Sequence, residues 1–287
     1  MTSKAYMKKA TAKIKPTGFF CARDFLRKLH GDTKKELGQY SYRQMAEDLG
    51  FSATNVIHLY AQGKRGIGEQ AGKQIADSLT LRKEQRQYFL KLCKMSQNLS
   101  QEDFANTFGE ALEIRSSLIT DKLDQNHLRY YSHWSNIVIR EMVRLPKFKA
   151  DPKWISQKLW PRVSVKEAQD ALNLLEELGF IHKNPENDRW EQQTPTLSTG
   201  AEVASLSVSK YHHASIPQGL QSIVEVDQQK RYISALTLCI DEEQFELIKQ
   251  KIEAFQQQLL ELESSSDFGD PDRVVQLNMQ LFQNTTD

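Results

Sequence analysis

The 287-residue chain holds only three cysteines, Cys21, Cys93 and Cys239. They are scattered and odd in number, so neither a disulfide framework nor a zinc-ligand spacing can be built from them. They read as free thiols of a reducing cytoplasm. No apolar run approaches the ~18–20 residues that a membrane helix needs. Lys4, Lys8, Lys9, Lys13 and Lys15 crowd the start, but no long apolar stretch follows them, so no secretory leader is expected. A glycine-rich phosphate loop is absent, and so is any nucleophile-elbow signature. His212 and His213 are the only adjacent histidines. Neighbouring helical positions point about 100° apart, and no further ligands stand at metal-site spacing. These absences argue for a protein that is not an enzyme and carries no metal or cofactor.

Net charge is nearly absent too, at +1, but that figure hides an asymmetry. Residues 1–97 carry 19 Lys and Arg against 8 Asp and Glu, while the rest of the chain carries 19 against 29. A basic front and an acidic back suggest a polyanion-facing module joined to one that is not. Only the front is then a plausible nucleic-acid surface.

Five segments follow from composition and periodicity. Residues 1–18, rich in lysine and closed by Pro16 and Gly18, read as a flexible basic arm. Residues 19–97 read as five helices, the second opened by the capping pair Ser41 and Gln44. Residues 98–120 read as a helical connector behind the cap pair Ser100 and Asp103. In 121–200, a helix over 127–145 precedes a short one ending before Pro161. A third opens at Ser164 with Glu167 as capping-box partner and ends at Gly179. A small hairpin around Asn184 to Asp188 follows, which gives the element order of a winged helix. In 201–287, a helix over 201–226 leads to a strand over 232–240, a helix capped by Asp241 and a last strand over 274–282, a small α+β domain. Phe245, Ile248, Ile252, Phe255, Leu259 and Leu262 step by three and four along that helix, as the core face against a sheet or as a dimer seam. The whole reads as mainly α, α+β overall.

The most informative stretch is 42–61, from Tyr42 to Ala61. Ala46 is small where two helices would cross. Gly50 sits where a tight turn favours positive φ. Met45, Leu49, Phe51, Val56 and Leu59 supply a shared apolar core. Gly63-Lys64-Arg65-Gly66 follows as a basic turn suited to a phosphate backbone. This block, over about 36–82, resembles the Cro/repressor helix-turn-helix superfamily. The resemblance implies that Ser52 N-caps a recognition helix and that Ala53, Thr54, Ile57 and His58 face base edges. It also implies that Arg43, Asn55, Lys64 and Arg65 face phosphates. The base-facing slots hold no Arg, Gln or Asn, the usual bidentate readers, so protein contact is the alternative role of this surface. The would-be recognition helix of the second unit carries Glu167, Asp170, Glu176 and Glu177 against Lys166, which repels phosphates; that unit reads as an interaction or dimerisation element.

Further blocks follow in order. Phe25-Leu26 comes first, then Tyr131-Ser132-His133-Trp134, Glu176-Glu177-Leu178-Gly179-Phe180 and Thr196-Leu197-Ser198-Thr199-Gly200. Tyr211-His212, Leu236-Thr237-Leu238 and Val275 to Phe282 complete the series. Over about 20–283 the chain resembles the Fibrobacter-type paralogous family of bacterial regulators. The resemblance implies a bacterial, cytoplasmic, regulatory protein with no catalytic residues. Tyr130, Tyr131, Trp134, Trp154 and Trp160 would pack a winged-helix core or line a ligand pocket. The functional expectation is a transcriptional regulator that binds double-stranded DNA through its front and forms a homodimer through 121–287. An unknown protein or small-molecule effector is a further expected partner. The alternative is a non-enzymatic cytoplasmic adaptor that keeps the helix-turn-helix scaffold without reading DNA.

Overall fold

The computed structural model describes residues 2–119, 122–193, 201–265 and 269–285. The expected Thr196-to-Gly200 block lies outside the described residues. The chain is mostly helical, with a two-stranded sheet, in keeping with a mainly α class. It divides into two compact units, Met1–Leu128 with Leu197–His213, and Arg129–Thr196 with Ala214–Asp287.

The first unit opens with α1 (Ser3–Lys13), where a flexible arm is expected from composition. Lysine content conceals the reason: Met7, Thr11 and Ile14 recur at helical spacing, and all three are buried. Ser3 Oγ donates to Asp48 Oδ1 at 2.9 Å and the Tyr40 hydroxyl reaches Met7 Sδ at 3.7 Å, so the helix is docked rather than loose. A 3-10 turn (Pro16–Gly18) leads to α2 (Ala22–Leu37), whose N-cap, Cys21 Sγ, accepts from the Asp24 amide. Then come α3 (Tyr42–Asp48), α4 (Val56–Ala61), α5 (Glu69–Ser78), α6 (Lys83–Met95) and α7 (Gln101–Ser117). Their core is one cluster that includes Phe25, Leu26, Leu29, Met45, Leu49, Ile57, Ile75, Phe89 and Leu92. Phe25 stands edge-on to both Phe19 and Phe89, with centroids at 5.8 and 5.4 Å. Burying each such side chain stabilises the fold by roughly 1.5–3 kcal/mol. Gly72 allows α5 and α6 to approach closely, since a Cβ there would lie 3.2 Å from Cys93 Sγ.

The segment expected as a thin connector is α7, capped by Ser100 as its sequence suggests. It is an integral layer of the first unit: Ala111 joins the main core, and Leu112 packs with Leu128 and Leu206. Lys210 Nζ lies 2.9 Å from Glu113 and donates to Ser116 Oγ at 3.2 Å. His213 Nε2 donates to the Ala105 carbonyl at 3.1 Å.

The boundary between the units falls within α8 (Lys122–Tyr131) and again within α12 (Ala201–Glu225). In the second unit, the single helix expected over 127–145 is broken into the end of α8 and α9 (Trp134–Met142). The buried Asn136 side chain explains the break, because its amide donates to the carbonyls of Arg129 and Tyr130. Next are α10 (Pro152–Lys158), with Asp151 as N-cap and Pro152 in its first turn, and α11 (Val165–Glu177). Ser164 and Glu167 close the expected capping box. Gly179, at φ 71°, ends α11, with its N–H on the Glu176 carbonyl and that of Phe180 on Leu175. Strands β1 (Ile181–Lys183) and β2 (Trp190–Gln192) form the hairpin, in antiparallel register with His182 opposite Glu191. Tyr130 stacks on Phe180 at 4.1 Å over a core of Ile139, Ile155, Ala168, Leu175 and Ile181. Tyr130 is the one fully packed member of the expected aromatic set: Trp134 and Trp154 are half-buried and Trp160 is 38% exposed.

Over 201–287, where an α+β domain is expected, no strand is assigned among the described residues. Helix α13 (Glu242–Ser264) forms, with the full capping box of Asp241 and Gln244, but it buries no residue. Residues 232–240 and 274–282, both expected as strands, are irregular in backbone assignment. Among the described residues no backbone hydrogen bond joins either segment to another element. A strand needs a neighbour, and neither segment has one here.

Candidate nucleic-acid interface

In the first unit, α3 and α4 are two short helices joined through a turn at Gly50. Ser41 Oγ accepts from the Gln44 amide at 3.2 Å and opens α3. Ala46, fully buried, lets the two helices cross. Gly50 ends α3 at φ 81°; its N–H reaches the Glu47 carbonyl and that of Phe51 reaches Ala46. A side chain in this left-handed region would be strained. From α5, Gln74 and Ser78 both donate to the Leu49 carbonyl, at 3.1 and 3.0 Å, which satisfies the end of α3 and fixes the turn.

Residues 52–55 do not continue into a helix. They form a turn, and α4 begins at Val56. Ser52 is therefore not an N-cap, and Asn55, which takes that place, makes no side-chain cap bond. The later start changes which side chains face outward. Ile57, expected at a base edge, is buried in the main core with Val56 and Tyr60. Ser52, Ala53, Asn55 and His58 are exposed, and Thr54 is half-buried. His58 lies 5.3 Å from the ring of Tyr42, which in turn stacks on His30 at 3.8 Å. His30 Nε2 donates to the Tyr40 carbonyl at 3.0 Å, and burial holds its pKa below the ordinary value of 6.5. His30 thus backs Tyr42, which in turn lies against His58.

The basic turn after α4 is rigidly built. Gly63, at φ 73°, donates to the Tyr60 carbonyl, and the Lys64 N–H reaches Leu59. Gly66 passes so close to α6 that a Cβ there would lie 2.5 Å from the Ser96 carbonyl oxygen. Ile67 is held on both sides, its amide donating to Ser96 Oγ and its carbonyl accepting from Gln97. Lys64 and Arg65 stay exposed, and Arg65 sits 6.0 Å from the centroid of the Tyr60 ring.

Two further cations that sequence reasoning did not single out join this turn. Arg27 Nε donates to the Ala61 carbonyl at 2.5 Å, on the last turn of α4, where a cation complements the helix dipole. Arg23 lies beside Gly63, its Nη1 2.9 Å from the position a Cβ would take. Both side chains are about half exposed, at 47% and 49%, and share only Asp24 as a nearby acid. Their spacing of four residues puts them on one face of α2, which is legible in sequence; that this face meets the end of α4 is not. Arg43 is placed differently: it is exposed on α3 and pairs with Glu47 at 3.3 Å.

Among the described residues, no group of three or more His, Cys, Asp or Glu could hold a metal ion, and no helix is long and apolar enough to cross a membrane. A domain of unknown function, DUF4423, matches residues 115–283, from the last turn of α7 to the end of the second extended segment. No curated protein and no solved structure matches the chain.

Proposed function

We propose, for a chain that belongs to the DUF4423 family, the role of a DNA-binding transcriptional regulator whose helix-turn-helix lies ahead of the family domain. The observation that carries this reading is the grouping at the end of α4. Lys64, Arg65, Arg23 and Arg27 gather where the chain leaves α4, while the turn that enters α4 exposes Ser52, Ala53 and Asn55 and α4 itself exposes His58. Cations on a rigid turn supply phosphate contacts, and small polar side chains at the other end of the same short helix can enter a groove. The basic charge balance of residues 1–97 favours the same partner. In this reading the protein is bacterial and cytoplasmic. Its back half dimerises or senses an effector, and a signal acts by changing how two front units are presented to paired half-sites.

A second reading has its own support. With Ile57 in the core and no Arg or Gln among the outward side chains of 52–58, the turn offers little direct base readout. A cytoplasmic adaptor that meets an acidic protein surface fits that chemistry as well.

Fluorescence anisotropy of the full chain on mixed genomic duplex fragments separates the two. At two salt concentrations, DNA binding should weaken steeply with salt. The Arg43→Ala/Lys64→Ala/Arg65→Ala variant should lose affinity, its log–log salt slope falling by roughly one for each lost phosphate contact. Because Arg43 is paired to Glu47, the Arg23→Ala/Lys64→Ala/Arg65→Ala variant should lose more. Absence of binding at low salt, for both the full chain and the front alone, defeats the DNA reading.

A further inference from the structure

Among the described residues, the segments over 232–240 and 274–282 expose much of their apolar surface. Tyr232 and Leu236 are 89% and 87% exposed, and Ile233, Leu238, Val275, Leu277 and Phe282 are also open to solvent. Single exposed apolar residues are ordinary, but a run of them in one short segment is not. Residues 232–240 combine this surface with backbone donors and acceptors that have no ladder partner among the described residues. Such an edge is a template for a second strand.

The charge pattern of the segment says which strand fits. Its start is basic, at Lys230 and Arg231; its end is acidic, at Asp241, Glu242 and Glu243; its middle is apolar. A strand with those ends repels a parallel copy of itself and attracts an antiparallel one. With Leu236 on the two-fold axis, Lys230 falls opposite Glu242 of the second copy and Tyr232 opposite its Ile240. In that register Tyr232, Leu236, Leu238 and Ile240 line one face, as the two-residue period requires. Isologous pairing of this kind is the commonest route to a closed homodimer.

We propose that residues 232–240 form an antiparallel strand pair with the same segment of a second copy of this chain, centred on Leu236, with Lys230 and Glu242 flanking its two ends. The pairing supplies the strand neighbour that each chain lacks. It also gives the half-buried stripe of α13, with Ile248, Ile252 and Leu259, and the second extended segment a sheet to pack against. The inference rests on the dimerising part of the function proposed above and is independent of whether the front unit binds DNA.

Its test needs no DNA. Sedimentation velocity of the full chain should show a dimer, and Leu236→Asp should shift it to monomer. Leu236 makes no packed contact within one chain, so far-UV circular dichroism of that variant should remain helical. Lys230→Glu should weaken the dimer about fivefold or more, and adding Glu242→Lys on the same chain should restore it. In a Cys239→Ser background, Leu236→Cys should oxidise to a disulfide-linked dimer. A wild-type chain that stays monomeric at every concentration overturns the proposal, as does a Leu236→Asp variant that stays dimeric. Charge reversal that the second change does not rescue overturns the antiparallel register. A monomer that still binds DNA would leave the DNA reading standing; a dimer that binds none would do the reverse.

Discussion

The front unit and the tail beyond residue 227 are built from similar local signals and end in opposite states. Both contain well-capped helices with apolar residues at three- and four-residue steps. In the front unit that pattern produces a continuous core, with Phe25, Leu29, Met45 and Phe89 removed from solvent. In the tail the same pattern on α13 buries nothing. An amphipathic stripe therefore reports only that a helix has a preferred face; what covers that face depends on the rest of the chain or on another molecule. The Asp241–Gln244 box of α13 is as complete as the Ser164–Glu167 box of α11, so capping does not distinguish the two cases either.

The contrast can be broken hardest at Phe25. Truncation to alanine removes its edge contacts with Phe19 and Phe89 and leaves a cavity, at a cost of ~3–5 kcal/mol. Denaturant unfolding followed by circular dichroism should show that loss. Phe255→Ala on α13 is the matched change. Placed in the monomeric Leu236→Asp background, it should cost well under ~1 kcal/mol, because Phe255 is 45% exposed and touches no core. In the wild-type background the same change should weaken the dimer. Equal effects in both backgrounds would show that α13 is not covered by association.

A smaller effect is expected at Gly50. Alanine there must adopt φ 81°, which costs about 1–2 kcal/mol and loosens the exit from α3. Thermal melts should report the loss, and DNA affinity should fall with it if the turn is the contact surface. Ser164→Ala should cost about 1 kcal/mol by removing one half of a capping box. That change lies outside the front unit, so it should leave the affinity of the front for DNA unchanged.

The last expectation is a pH dependence carried by two histidines of the first unit. His30 and His127 both have pKa values lowered by burial. For each, the unfolded chain takes up a proton more readily than the folded one. Their contribution to stability is therefore complete above the unfolded value of about 6.5 and is lost as pH falls through the folded values. Melting temperature should drop on acidification, and His30→Gln should shrink the drop. If the variant shows the same acid profile, His30 is not one of the groups responsible.

Much of this was readable from local sequence. The caps at Ser41, Ser100, Ser164 and Asp241, the glycine stops at Gly50 and Gly179, and the hairpin turn around Asn184 to Asp188 all depend on residues within four or five positions of one another. The docked helix α1 was not readable from composition, because five lysines outweighed Met7, Thr11 and Ile14, whose spacing is the signal. The helix expected from about Ser52 begins at Val56. Ser52 has the chemistry of an N-cap, yet the chain makes one more turn before Val56. That shift moved Ile57 from the expected contact surface into the core. Of the expected contact residues, Lys64 and Arg65 stand together on a fixed turn, while Arg43 is held by its own helix.

The sequence by itself determined where helices begin and stop, which turns take glycine, and that one half of the chain is basic, because those properties are set by neighbours along the backbone and by simple charge. Only the tertiary structure decided that Arg23 and Arg27 come to the end of α4, that α7 belongs to the front unit, and that residues 232–240 and 274–282 form no strand ladder among the described residues. Each of these requires groups far apart in sequence to meet or to miss one another, and a strand pattern specifies a face and an edge without specifying the chain that will pair with it.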